Sequence, residues 1–470
     1  MNMLRLMIAA LFATTAAGCA VGPDYKEARR EVPAGFAANN EAGTGEVDTR
    51  WWQRFDDPIL NRLIGEGNNN KNLKIASARL LEARANLRLF VYDLFPDGDV
   101  SFQYDKTKRS IATILPGEPR TIDFYSAGAQ VSWELDLAGG IRRSVEAARA
   151  DYEGKQAGLR DVQVAVNAEI ARTYLSLRGA QTRLKLARQN ANAQRETLRL
   201  TQTLLEAGRG NGLDVARAQS QYDSTSATIP PLETLVAAAI HRLAVLTGRQ
   251  PQALRVELSV VQPAPVTPLL TDIGTPETLI RRRPDIRVAE RALAAFTAQI
   301  GVATADLYPH IGFSGSFGSI APRSSDIGHS QFETYSIVPG IRWALFDLHR
   351  VRARIDAADA RTQGALAAFE LSVLVALEET ENALVDYGGQ IRRRASLQSN
   401  AEAAARAAEL ARQRYRDGAA SFLDMLDAER TLLNAQDQLA QTEQAAGTAL
   451  VAVYTALGGG WEPAVTRNAN

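Results

Sequence analysis

The sequence predicts an α+β protein: four β-strands per chain continuing into long α-helical hairpins, with the strands closing a barrel only when three copies meet. Three observations predict it. The chain repeats itself at an offset of 210 residues, it holds two proline-free helical runs too long for a compact domain, and each repeat carries two stretches of alternating apolar and polar residues.

The duplication comes first because it fixes the register of everything else. Tyr125, Trp133 and Leu135 return as Tyr335, Trp343 and Leu345, and the same offset carries Asn190 to Asn400, Gly208 to Gly418, Leu213-Asp214 to Leu423-Asp424, and Gly248 to Gly458. Upstream the offset becomes 213, matching Leu94 and Pro96 to Leu307 and Pro309. The chain therefore divides into a leader at 1–18, an N-terminal segment at 19–57, repeats at 58–250 and 276–460, and a tail at 461–470. Pro263, Pro265 and Pro268 mark the linker at 251–275.

Each repeat opens with a helix of about 24 residues, such as Lys71 to Leu94, that ends near a proline. Period-two stretches follow. Val131, Trp133 and Leu135 alternate with Ser132, Glu134 and Asp136, and Ile311, Phe313 and Phe317 alternate with Gly312, Ser314 and Ser316. Then come the long runs, Ile141 to Ile229 and Val351 to Trp461, with apolar residues such as Phe369, Val373, Leu377 and Leu384 at helical spacing. Breaks near Gly208 to Gly212 and Gly418 to Ser421 make each run a hairpin. Its first arm of about 65 residues is on the order of 100 Å long at 1.5 Å per residue.

Strands with one apolar face suit a membrane, yet an open four-stranded sheet in lipid would leave its edge amides and carbonyls unpaired. Membrane barrels need roughly eight strands or more. Three copies supply twelve, and cyclic symmetry closes the ring. The alanine-rich helices then pack side by side as a second, helical barrel. The same helices are also compatible with a coiled-coil rod without a barrel, which the tryptophan-bearing strands argue against.

Composition excludes other classes. Basic and acidic residues number 53 each, so no electrostatic footprint for nucleic acid exists. The four histidines form no ligand-spaced cluster, and no nucleophile-base pair stands out, so neither a metal site nor a catalytic centre nor a cofactor is expected. The start reads as an export signal, with Arg5 ahead of a short apolar core from Leu6 to Ala13. Ala16, Ala17 and Gly18 then precede Cys19, the only cysteine. That arrangement looks like a lipobox, in which Cys19 receives a lipid and becomes the new N-terminus; an ordinary signal with a stray cysteine is the alternative.

In this frame stand Gly22-Pro23-Asp24-Tyr25, Trp51-Trp52 with Phe55, Asp57-Pro58 and Leu60, Trp133-Glu134-Leu135-Asp136-Leu137, and Arg282-Arg283-Pro284-Asp285-Ile286 with Ala289-Glu290. Tyr415, Gly418, Ser421, Leu423-Asp424 and Ala428 complete the set. Together they resemble the outer-membrane efflux proteins of the TolC superfamily, in the NodT-type, OprM-like lipoprotein branch. The resemblance implies a passive homotrimeric duct in the Gram-negative outer membrane with a periplasmic extension. It implies export of drugs or other small toxic compounds, fed by a periplasmic adaptor protein and an inner-membrane pump, usually of the RND class. Gly140 departs from the arginine common at that place.

Several residues carry two readings. Gly208 and Gly418 read as helix stops; Asn211 with Asp214, and Ser421 with Asp424, read as helix caps three residues apart. The resemblance makes these turns the periplasmic tip and possible gate, where Asp424 could cap a helix, contribute to a cation-attracting ring, or do both. Ala420 stands where some relatives have an acidic gate residue. Trp133 and Trp343 are core fillers, or members of an aromatic girdle or the junction below it. Arg282, Arg283 and Asp285 suit either an anion site or a helix start at Pro284. Glu134 and Asp136, two apart on a strand, suit a water-filled lumen better than a catalytic pair.

Overall fold

The computed structural model describes residues 20–27, 31–37, 43, 45 and 47–461. Cys19, the leader and the tail beyond Trp461 lie outside the described residues. The chain forms two compact units, one built from Met1–Arg29, Arg79–Gln156 and Arg287–Leu371, the other from Arg30–Ala78, Ala157–Ile286 and Ser372–Asn470.

Nine α-helices of seven residues or more and four strands are described. Helices α1 (Pro58–Glu66) and α2 (Lys71–Tyr92) precede β1 (Asp97–Lys108) and β2 (Thr121–Leu135). Helix α3 (Gly140–Glu206) turns into α4 (Gly212–Ser226) and α5 (Ile229–Leu246). After the linker the plan repeats with α6 (Pro276–Arg282), α7 (Pro284–Ala305), β3 (His310–Ala321), β4 (Glu333–Arg342), α8 (Leu348–Arg416) and α9 (Phe422–Ala456). The first arms have 67 and 69 residues, as the proline-free runs require.

In the first unit the four strands form one antiparallel sheet in the order β1-β2-β3-β4, leaving β1 and β4 as edges. Facing residues in such a ladder share a face. Phe102 faces Ala127, Val131 faces Gly315, Trp133 faces Phe313, and Phe317 faces Tyr335, so one side is apolar across all four strands. The other side pairs Gln103 with Ser126, Ser132 with Ser314, and Ser316 with Ser336.

Asp136 corrects the alternating pattern. β2 ends at Leu135, and Asp136 leaves the sheet to accept from the backbone N–H groups of Ile141 (3.0 Å) and Arg142 (2.9 Å) and from the Arg142 Nε–H (3.1 Å). The reason is local. Gly139 at φ +82° turns the chain into α3, whose first N–H groups have no partner within the helix and attract a carboxylate. Only Glu134 remains on the polar face.

The second unit is helical. Gly208 and Gly418 adopt φ +68° and +74°, and the following N–H groups of Arg209 and Ala419 reach back to Leu204 and Arg414. Both long arms thus end in the same left-handed stop. The returning arms differ. α9 is unbroken over 35 residues, whereas α4 and α5 part at Ala227-Thr228, where Pro230 and Pro231 lack the N–H groups a continuous helix needs.

Candidate functional site

Two surfaces of the chain carry chemistry, and neither resembles a catalytic pocket. The first is the apolar face of the sheet. Phe102 is 81% exposed, Tyr335 78% and Ile337 76%. A contiguous apolar face of this kind, with two unpaired edges, is matched to hydrocarbon rather than water. Its reverse is lined by serine, glutamine and glycine, as a water-filled bore requires.

Trp133 and Trp343 hold the corners of this sheet. The Nε1–H of Trp133 donates to the Leu94 carbonyl and that of Trp343 to the Leu307 carbonyl, each at 3.1 Å. Leu94 and Leu307 are themselves a repeat pair, and each lies in the turn between a helix and the strand after it. The two indoles therefore sit at the helix-to-strand junction with their polar ends tied to backbone.

The second surface is the pair of hairpin turns. The Asp214 N–H donates to Asn211 Oδ1 at 2.9 Å, and Asn211 Nδ2 donates back to the Asp214 carboxylate at 2.8 Å. At the other turn Asp424 N–H donates to Ser421 Oγ (3.2 Å), while Ser421 N–H (3.0 Å) and Oγ–H (2.7 Å) donate to Asp424 Oδ2. This is a reciprocal capping box. The serine's bonds, helped by the Arg414 charge, hold the Asp424 carboxyl below the usual carboxylate range, so it stays ionised.

An apolar cluster of Leu198, Ala218, Phe422, Met425 and Leu426 joins the two hairpins beneath these turns. Tyr415 packs against it, and burial together with the nearby Asp214 charge raises its hydroxyl above the ordinary value. The turns of both repeats are thereby gathered at one end of the unit, with Gly208, Asp214, Gly418, Ser421 and Asp424 around them.

The Arg283 guanidinium is filled from within. It donates to both oxygens of Asp285 (3.0 and 2.7 Å), to Glu379 (2.7 Å) and to the Ala456 carbonyl (3.0 Å). Asp285 lies in the first turn of α7 behind Pro284. The segment is thus a braced helix start, and Arg283 has two carboxylates where an external anion would need it.

Sequence reasoning missed two other arginines. Arg178, fully buried, donates to Tyr174 Oη (3.1 Å), Gln181 Oε1 (2.7 Å) and the Val260 carbonyl (3.1 Å), and Tyr174 donates in turn to Asp57 (2.7 Å). This chain locks the N-terminal segment and the linker to α3. Arg143 grips the segment after Cys19: it donates to the carbonyls of Val21 (3.0 Å) and Gly22 (3.2 Å) and to Asp24 (2.7 Å). Polar spacing at i−4 and i+3 around Arg178 was a readable signal. For Arg143 the partners in the N-terminal segment lie over a hundred residues away, and only Glu146 at i+3 was readable.

Comparison with known proteins agrees with this geometry. The family model described as "Outer membrane efflux protein" matches residues 67–249 and 275–459. Nodulation protein T of Rhizobium leguminosarum bv. trifolii is 31% identical over 454 residues, covering 96% of this chain and 97% of its own length. Pyoverdine export outer membrane protein OpmQ of Pseudomonas aeruginosa is 31% identical over 422 residues, 88% of each chain. Among solved structures, the outer-membrane channel OprN superimposes with a TM-score of 0.87 at 42% identity, covering 95% of this chain and all of its own. The Campylobacter jejuni CmeC outer membrane channel gives 0.88 at 20% identity over 94% and 96%, a likeness of fold. The chain belongs to the outer membrane efflux protein family, whose members are non-enzymatic channels of the outer membrane.

Proposed function

We propose that three copies join through the β1 and β4 edges into a twelve-stranded barrel, forming a passive duct that exports small molecules. The carrying observation is the four-stranded sheet itself: an exposed apolar face, a polar reverse, and two edges with N–H and C=O groups to satisfy. Relatives named for pyoverdine export and for solvent efflux support small molecules as the cargo. Energy comes from an inner-membrane pump, of the RND class, through a periplasmic adaptor that meets the hairpin turns. Gly208, Asp214, Gly418, Ser421 and Asp424 form the constriction there, and Asp424 contributes both a cap and, in three copies, a ring of negative charge.

Cys19 carries the lipid. In support, its neighbour Ala20 packs against Gly139 and the Val21 N–H donates to the Ala138 carbonyl at 3.0 Å, so the residues that follow Cys19 are seated beside the end of β2. No other cofactor is needed for conduction. The test is direct. Detergent-solubilised protein should have a protein mass near three times 51.0 kDa and conduct ions in a planar bilayer. A monomer that conducts contradicts closure by three copies, and a trimer that does not conduct contradicts the duct.

A further inference from the structure

We propose that His310 sets the ion preference of the duct where strands meet helices, and that acidification moves this preference toward anions. The inference rests on the channel reading and adds a specificity-determining residue away from the hairpin turns.

His310 opens β3 opposite Arg342 of β4 and lies on the polar face with Glu134. Its Nδ1 is 2.6 Å from Glu134 Oε1, and its Nε2 is 3.5 Å from Asp306 Oδ1. Asp306 in turn pairs with Arg354 of α8 at 3.2 Å. The imidazole thus touches a carboxylate with each nitrogen. Glu134, His310 and Arg342 line a cavity of about 1110 Å³ together with Asp93 and Asp97. A second cavity, about 200 Å³, places Asp136 beside the same histidine, and Asp136 is paired with Arg142.

The charges facing His310 from the neighbouring elements leave an excess of carboxylates. Five carboxylates, Glu134, Asp136, Asp306, Asp93 and Asp97, stand against three guanidiniums, Arg142, Arg342 and Arg354. A neutral imidazole has a single N–H and can donate to only one of its two carboxylates. The protonated ring carries an N–H on each nitrogen, donating to Glu134 and pairing by charge with Asp306, and removes one unit of the negative excess. Each chain then adds one charge beside the aqueous face, and an assembly of three adds three.

The test uses purified full-length protein in planar bilayers under a KCl gradient, with reversal potential read at pH 8 and pH 5. Wild type should lose cation preference by about twofold or more on acidification, the effect of one unit charge roughly 10 Å from the ion path in water. His310→Gln, which cannot gain the charge, should give the same preference at both pH values. His310→Arg at pH 8 should resemble wild type at pH 5. A wild-type response retained in His310→Gln overturns the proposal, as does a wild type indifferent to pH. Should the glutamine variant fail to assemble, the arginine variant decides, because a pH 8 preference equal to wild type at pH 8 also overturns it. Repeating the series in Asp424→Asn separates the two sites: a pH response abolished there and untouched by His310→Gln belongs to the turns and overturns the proposal. Absence of any wild-type conductance defeats the duct itself, a distinct failure.

Discussion

Replacing Arg143 by methionine should release the segment that follows Cys19 without unfolding the protein. The Arg143 side chain is only 5% exposed, yet its two carboxylate partners, Asp24 and Glu146, are 82% and 42% exposed and regain water when the guanidinium goes. Their loss costs little. What remains is the pair of charge-assisted bonds to the Val21 and Gly22 carbonyls at 3.0 and 3.2 Å, with a longer one to the Ala20 carbonyl at 3.5 Å. Such bonds are worth about 1.5 to 3 kcal/mol each when fully made, so for two partly solvated carbonyls a combined loss of about 2 to 3 kcal/mol follows. At about 1.4 kcal/mol per tenfold, the segment should open roughly 30- to 150-fold more often. The Val21 N–H, bonded to the Ala138 carbonyl, reports this in hydrogen exchange of the 20–27 peptide. Gly22→Ala attacks the same clasp by another route: Gly22 has φ +88°, and an added Cβ meets the Gly301 backbone. Wild-type protection of Val21 in both variants would refute the reasoning, because it would mean the segment is held by something other than Arg143 and the glycine contact.

Asp424→Asn should weaken cation preference in reversal-potential measurements while thermal stability holds, whereas Asp424→Ala should lower both; an unchanged reversal potential in both removes Asp424 from the gate. Because its folded carboxyl lies below the ordinary range, its contribution is present above the unfolded value and is lost only as pH falls through the lowered one, so it should persist from pH 8 to about pH 5. Asp161 is the opposite case: burial, then the charge of Asp285, raises its carboxyl, so the ionised form is disfavoured in the folded state at neutral pH. Asp161→Asn should therefore raise the thermal midpoint at pH 7, with the gain vanishing in buffers acid enough to protonate wild type; a lower midpoint at pH 7 would contradict this. Trp133→Phe should cost about 1 kcal/mol through the lost bond to the Leu94 carbonyl, measured by urea unfolding, and an unchanged midpoint would show that the junction does not depend on the indole N–H.

The large plan was legible because it follows from periods. Proline-free runs with apolar residues at helical spacing gave arms of nearly the observed length, and period two placed Val131, Trp133 and Phe313 on one face. The capping pairs at Asn211-Asp214 and Ser421-Asp424 were legible because caps are local, set within three residues. Asp136 was misplaced for an equally local reason: alternation continues in the sequence one step past the point where Gly139 turns the backbone out of the sheet. What stayed hidden was non-local. The pairing of His310 with Glu134 joins residues 176 apart in sequence and depends on the β2–β3 register, which period two alone leaves free.

The two halves of the duplication diverge where their surroundings differ. The sheet corners remain alike, with Trp133 and Trp343 making the same bond at the same distance, because each corner solves the same problem of turning a helix into a strand. The starts of α3 and α8 do not. Arg143 of α3 clasps the N-terminal segment, while the residue 210 positions later is Ala353, which can clasp nothing. The turns differ in chemistry but not in shape: both use a glycine with positive φ, yet one is capped by Asn211 and the other by Ser421. Asp214 and Asp424 keep the same place behind both caps. Duplication thus supplies a wall with nearly repeating geometry, and a few substitutions distinguish α3, which clasps residues 21–24, from its twin.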